Sequence, residues 1–449
     1  MSAPARRVIH KVGGSVLRDA ESFHAIRGIL QWMRDPAVLV FSACKGITDR
    51  LLHIAHMCTE GRRSDAMHSL QDVHTTHFTL AEQLLHHTYL DRYQRFYQRI
   101  RQISQAILTS AARLQEVPPA AMDRFLSIGE LSSSYLVYLY LRQQGEPAGW
   151  VDARRFLITD TRYGNARPLL RETRARIRRV LTPALEQHRF VVVPGFIGRS
   201  VTGRTTTLGR GGSDLTATLI AVGLRAERVY LWTDVPGMMS ADPRIVPSAF
   251  TIPSIPYEEA VILSHFGVKK FHPRALWPVY RRGIPVHIKD LYHPDAQGTT
   301  IELRAELARG LFVIAYLPRV TVIRMEFPLF GRQSLLRRAD WMARRLQPLA
   351  ISMTRWPPSI SVILQNGVDE TLSRQLQRLK PHTLRDHQGA LVLLIGRDID
   401  HSRFWSALQD WDAKILHDWA TFHILPILIP AEQLETCIRT LHNMCFAVG

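Results

Sequence analysis

The sequence has little cysteine, little lysine and no long apolar run, and each shortage excludes something. Its four cysteines, Cys44, Cys58, Cys437 and Cys445, stand far apart and form no Cys-x-x-Cys pair. Neither a disulfide framework nor a zinc site is expected from that spacing. No apolar stretch approaches the roughly 20 residues of a membrane span, so no membrane partner is expected. The opening MSAPARRVIHKVGGSVL runs into a strand-like segment without a hydrophobic signal core, which predicts a cytoplasmic protein. A dinucleotide GxGxxG is missing, and so are low-complexity tracts and lysine/arginine blocks.

The net charge is nevertheless +18. A basic surface attracts phosphate polymers. Here the charge is spread along the whole chain without a nucleic-acid motif, so solvated faces are expected and nucleic acid is not. Of the 57 basic residues, 50 are arginine and seven are lysine. Lys11, Lys45, Lys269, Lys270 and Lys289 all fall in or beside glycine- or proline-containing segments. A compact ammonium does what a planar guanidinium cannot, and those segments become candidate sites.

At 449 residues, 46% hydrophobic and 21% charged, the chain is that of a globular protein of two or three domains. RVIHKVGGSVL, AVLVFSACKG, RFVVVPGFIG and RVYLWTDVPG are apolar strands that each end in a glycine turn. Helical patterns separate them, including one expected over about 65–115 and a long apolar one in DRFLSIGELSSSYLVYLYLRQQG. This alternation predicts an α/β fold with a largely parallel sheet and helices on both faces. Ligands of such sheets sit at the carboxyl ends of the strands. From about Leu311 two successive units of strand, helix, strand, strand and helix predict α+β ferredoxin-like modules. The expected domains are 1–305 and 306–449.

Residues 194–214, PGFIGRSVTGRTTTLGRGGSD, hold six glycines, four threonines, three arginines and one aspartate. Glycine lets backbone N–H groups approach a ligand, and arginine offers a fork of donors for carboxylate or phosphate. On the residues alone the stretch fits a flexible hairpin or a pocket for a small anion.

Taken in order, KVGGSVL, SACKGITD, GELSSS, GFIGRSVTGRTTTLGRGGSD, WTDVPGMMSADPR and FGVKKFHP resemble the aspartokinase family, of the amino-acid kinase fold. The resemblance covers residues 7–303. It continues more weakly to the C-terminus, where the modules are similar to the tandem ACT domains of monofunctional, lysine-sensitive members.

The resemblance implies an aspartate kinase that phosphorylates the side-chain carboxylate of L-aspartate with ATP, giving 4-phospho-L-aspartate. It implies Lys11 and Asp214 as catalytic residues. Thr48, Glu130, Phe196, Arg210, Ser213 and Asp214 would surround aspartate. Arg210 is a fork for the α-carboxylate, and Glu130 and Asp214 are the acids for the α-ammonium. Lys11, Gly13, Gly14, Ser15, Thr233, Asp234, Met239, Arg244 and Lys269 would hold ATP, with the Thr205–Thr207 run beneath the phosphates. Mg²⁺ would be held mainly by phosphates and water, without a protein ligand. Asp242 is read as a turn cap and His272 as structural. A homodimer or dimer of dimers through the ACT region is implied. A fused homoserine dehydrogenase is not.

The chain departs from the family pattern at three places. Val12 and Val16 replace a phenylalanine and a hydroxyl in the first motif, and Met239 replaces an aromatic in the nucleotide motif. Val16 and Met239 are the support for an alternative, a catalytically weak or inactive paralogue acting as an amino-acid- or nucleotide-binding regulatory partner. In the effector segment Thr354, followed by Arg355, stands where an aspartate usually holds the effector's amine. Lysine feedback is therefore not expected.

Overall fold

The computed structural model describes residues 7–33, 35–265, 272–304, 310–327, 332–346, 348–355, 358–365, 367, 369–397, 399, 402, 404, 408, 411–416, 419 and 423–446. They divide into two compact units. One comprises Met1–Gly237, Pro253–Tyr257 and Lys270–Ala305, and the other Met238–Ile252, Glu258–Lys269 and Glu306–Gly449. Met238–Ile252 and Glu258–Lys269 therefore group with the C-terminal region, although both precede residue 305 in sequence.

The first unit is built on an eight-stranded sheet in the order Ala148–Trp150, Phe190–Pro194, Ala37–Phe41, Val8–Val12, Arg228–Thr233, Val286–Asp290, Thr299–Glu302, Ser254–Pro256. Only the pair Val286–Asp290 and Thr299–Glu302 is antiparallel. Ala37–Phe41 and Phe190–Pro194 are buried at every position. A strand buried on alternate sides throughout is covered on both faces, as the continuous apolar runs predict. Helix Gly212–Leu224 covers part of the sheet, packing on Val8–Val12 and Ala37–Phe41 and on helices Leu170–Gln187 and Pro273–Tyr280.

Register aligns the strand ends. Val12 pairs with Phe41 and Trp232, Phe41 with Pro194, and Thr233 with Asp290. The carboxyl ends thus form one row, and the glycine turns that follow them lie side by side. A separate three-stranded sheet joins Ile158–Thr159, Ile197–Ser200 and Thr205–Thr207.

Two expected helices are divided. The 65–115 pattern forms Arg63–Leu84 and His87–Leu114. The DRFLSIGELSSSYLVYLYLRQQG pattern falls across Pro119–Leu126 and Ile128–Gln143, interrupted at Ser127. Ser127 keeps helical dihedrals, so the interruption bends the path without an exit into loop.

The second unit carries a six-stranded sheet, Ala350–Arg355, Pro358–Leu364, Gly310–Glu326, Thr383–Arg397, Ile424–Ile429, Lys414–Ile415, with every adjacent pair antiparallel. The modules are nested, not successive. Gly310–Glu326 and Thr383–Arg397 each run through both of them. Beyond Val320 the sheet packs Ile323 and Met325 with Leu335, Ala339 and Met342 of helix Arg332–Leu346. Before Leu317 it packs Ile314 and Leu394 with Cys437, Ile438 and Leu441 of helix Leu434–Phe446. The change of core falls at a register shift between Leu317 and Val320, which holds Pro318 and Arg319. Proline cannot donate to a ladder and is tolerated at such a bulge.

The 238–252 segment belongs to the same core through Ala241, Ile245 and Val246. Ile314 N donates to Ser240 O, and Ser240 Oγ lies 3.0 Å from His442 Nε2. Among the described residues no helix is long and apolar enough to cross a membrane.

Candidate active site

Four glycine turns and two helix starts meet at the row of strand ends in the first unit. Val8–Val12 delivers Lys11 and then the Gly13–Gly14 turn, anchored by Gly13 N donating to Trp232 O. Gly14 is required by space, because a Cβ there would lie 2.8 Å from Ala43 O. The ammonium of Lys11 reaches across to Asp214 Oδ1 at 2.6 Å. Asp214 sits in the first turn of helix Gly212–Leu224, where the exposed N–H ends favour negative charge.

The loop before that helix is bare backbone. Gly209 and Gly211 have φ of +74° and +72°. Arg210 between them is exposed and makes no ion pair among the described residues. Ser213 packs on the backbone of Gly195, where a Cβ would sit 2.7 Å from the Ser213 Cβ. Phe196 holds a φ of +66°, costly for a bulky side chain. Its N–H donates to Thr216 Oγ1 and its carbonyl accepts from Leu208 N, which fixes the strain in place. Such strain gathers at functional sites.

Glu130 lies in helix Ile128–Gln143 and is 3% exposed. Burial pushes its carboxyl up to about 8, opposed by the backbone N–H of Ala43. Its Oε2 has no hydrogen-bond partner. Buried polar atoms are nearly always paired, so the unanswered oxygen singles Glu130 out. Ser133 Oγ donates to Ser42 O at 2.7 Å and ties this helix to the SACKG turn. Thr48 is half-buried in the first turn of helix Ile47–Thr59, whose N-cap Gly46 has φ of +75°. On the far side of the glycine turn Ser15 Oγ and Thr233 Oγ1 both donate to Asp234 Oδ1, at 3.3 and 3.1 Å.

Lys11, Gly13, Gly14, Ser15, Thr48, Glu130, Phe196, Arg210, Ser213, Asp214, Thr233 and Asp234 therefore all belong to the first unit. Met239 and Arg244 belong to the second. Met239 bridges Thr251, whose hydroxyl lies 3.5 Å from its sulfur. The Arg244 guanidinium donates to both oxygens of Asp242, holding that carboxyl down to about 2. Asp242 also accepts from Arg244 N and from Tyr316 OH, so it caps its turn. His272 accepts from Arg274 N and caps helix Pro273–Tyr280. Lys269 lies outside the described residues.

The hydroxyls of the threonine run, expected beneath the phosphates, are engaged within the protein. Thr205 Oγ1 accepts from Arg154, Thr206 Oγ1 meets Thr159 Oγ1 at 2.8 Å, and Thr207 Oγ1 donates to Asp123. All three hydroxyls are spent on the scaffold. Thr207 is held by Asp123, a residue outside the expected site set. It is fully buried and also accepts from Thr207 N and Gly164 N, pinning the hairpin that leads to Arg210. Its one sequence signal is an acid in a short helix that is mostly apolar apart from Arg124. Among the described residues no group of three or more His, Cys, Asp or Glu forms a metal cage.

The sequence matches the amino acid kinase family over residues 6–290. It is 30% identical to lysine-sensitive aspartokinase 3 of Escherichia coli strain K12, over 98% of this chain and 99% of that one. It is 31% identical to an aspartokinase of Chlamydia pneumoniae, over 97% of each chain. The structure resembles that of E. coli aspartokinase III with aspartate and ADP in its R-state, with a TM-score of 0.84, 29% identity, and coverage of 98% and 99% of the two chains. A buried acid with an unanswered oxygen, a lysine at a glycine turn, and likeness along the whole length agree: the chain belongs to the amino acid kinase family and, within it, to the aspartokinases.

Proposed function

We propose that the chain transfers the γ-phosphoryl group of ATP to the side-chain carboxylate of L-aspartate, the first step toward lysine, threonine and methionine. The observation that carries the reading is the Lys11–Asp214 contact of 2.6 Å at the head of the glycine turn. The related E. coli structure holds aspartate and ADP, which supports the same ligand classes here.

A carboxylate is already a nucleophile, so no general base is needed. One of its oxygens attacks the γ-phosphorus, the bond to the bridging oxygen breaks, and ADP leaves with the electron pair. The obstacle is bringing two anions together, and catalysis is positioning with charge neutralisation. Lys11 leaves Asp214 for the migrating phosphoryl group. Gly13, Gly14 and Ser15 offer donors to phosphate oxygens. Thr233 and Asp234 lie on the nucleotide side, and Mg²⁺, when bound, would be held by the ATP phosphates and would neutralise their charge. Met239, Arg244 and Lys269 remain assigned to ATP on the family resemblance.

Arg210, flanked by flexible glycines and free of an ion pair among the described residues, takes the α-carboxylate as a fork. Glu130 takes the α-ammonium, with Asp214 on the other side of it once Lys11 has moved. Thr48, Phe196 and Ser213 close around the carbon chain. The enzyme works in the cytoplasm as a homodimer or dimer of dimers through the second unit, where strand Ala350–Arg355 lies at the sheet edge.

A coupled assay of ADP release with L-aspartate and Mg·ATP tests the activity. Turnover no higher than that of a Lys11→Ala variant removes the proposal. Calorimetric binding of aspartate without turnover favours the regulatory alternative that Val16 and Met239 suggest.

A further inference from the structure

Away from the strand ends, the first unit has a groove of about 790 Å³ between helices Leu170–Gln187, Gly212–Leu224 and Pro273–Tyr280. Its floor is apolar, with Leu215, Leu219 and Ile177. Its walls carry Arg167, Arg174, Arg274, Arg281 and Arg282, and no aspartate or glutamate lines it. Guanidinium groups crowded around an apolar floor repel one another and lower each other's hydration. An arrangement of this kind is stable at modest cost only when solvent or an anion answers the charge.

The arginines are largely unanswered. Arg274 is engaged with the Asn165 side-chain oxygen and with Leu208 O. Arg174 Nε is buried and has no hydrogen-bond partner. Arg281 and Arg282 are exposed, with no ion pair among the described residues. The nearby acid Glu172 is already paired with Arg176.

Trp277 supplies the second half of the argument. It lines the groove and is 51% exposed, beside Leu170 at 58%. An indole left half in water at the mouth of a cationic groove offers a flat face for a ring. The volume lies within the range of small-molecule sites and exceeds what an inorganic anion fills.

We propose that this groove binds an anionic ligand with an aromatic body, its ring against Trp277 and its charged group among Arg174, Arg281 and Arg282. The site is separate from the aspartate and ATP sites and does not depend on the reaction proposed for them. Its occupant rests on Leu215 and Leu219, on the same helix whose first turn carries Ser213 and Asp214.

The test uses the full chain and 8-anilinonaphthalene-1-sulfonate as probe, read by fluorescence and calorimetry. Saturable binding is expected that weakens about tenfold or more in both the Arg281→Glu/Arg282→Glu variant and the Trp277→Ala variant. These positions are exposed, so thermal melting and aspartate kinase turnover should stay as in the parent chain and certify the fold. Phenyl phosphate should displace the probe, and inorganic phosphate at the same concentration should not. Binding unchanged by both variants overturns the proposal. Equal displacement by inorganic phosphate also overturns it, since it leaves only a counterion patch.

Discussion

Lys11 Nζ and Asp214 Oδ1, 2.6 Å apart, join the end of the first strand to the first turn of helix Gly212–Leu224. The contact holds the one lysine of the glycine turn against a carboxylate, and the proposed mechanism releases it to the migrating phosphoryl group. Lys11→Ala is expected to lower kcat by about a thousandfold, the scale of losing one positioned donor to a developing charge. Lys11→Arg should not restore it, because a planar fork does not fit a point-charge site. Asp214→Asn should raise the KM for aspartate as well as lower kcat. Steady-state kinetics of the three variants decide, and a Lys11→Ala enzyme with parental kcat refutes the role.

Glu130 gives the enzyme a pH signature. With its carboxyl raised from 4.5 to about 8, the free enzyme holds it largely protonated at neutral pH. Only the ionised form pairs with an ammonium. The kcat/KM for aspartate should therefore rise with pH and level off near 8, and Glu130→Gln should flatten that rise while weakening aspartate binding.

The same residue acts oppositely on stability. A raised pKa in the folded state means that folding takes up a proton between 4.5 and about 8, so stability is lost as pH rises through that window. Without substrate, Glu130→Gln should melt at a higher temperature than the parent chain above pH 8 and differ little near pH 4. A lower melting temperature for the variant at high pH contradicts the assignment.

Asp123 links three elements through Gly164 N, Thr207 N and Thr207 Oγ1. Removing a buried acceptor of several bonds leaves those donors unsatisfied. Asp123→Ala is expected to cost about 3 kcal/mol in urea unfolding, with Asp123→Asn intermediate. If Asp123→Ala unfolds at the parental urea midpoint, the clamp is not structural.

Lysine should inhibit weakly. Thr354 pairs with Ser359 across the hairpin, and their hydroxyls lie 2.6 Å apart, so the position carries no carboxylate for an amine. Half-maximal inhibition is expected only above about 1 mM, beyond the usual range of ligand-responsive enzymes. An inhibition titration at fixed aspartate measures it directly.

The sequence by itself determined the strands, the glycine turns and the residue types at the site, because these are local. A continuous apolar run ending in Gly-Gly can be little other than a buried strand with a turn behind it, and Lys11, Gly13 and Gly14 follow from that. The Asp242 turn cap is equally local, since acceptor and donor stand two residues apart. Tertiary structure alone decided that Lys11 meets Asp214, that Glu130 is buried with an unanswered oxygen, and that the three threonine hydroxyls serve the scaffold. It also decided that the C-terminal modules are nested, because strand pairing is a choice between distant partners. The pattern of Gly310–Glu326 marks a strand, but nothing in it states that one strand will serve two cores. Local patterns fix what a segment is, and long-range packing fixes what its side chains face.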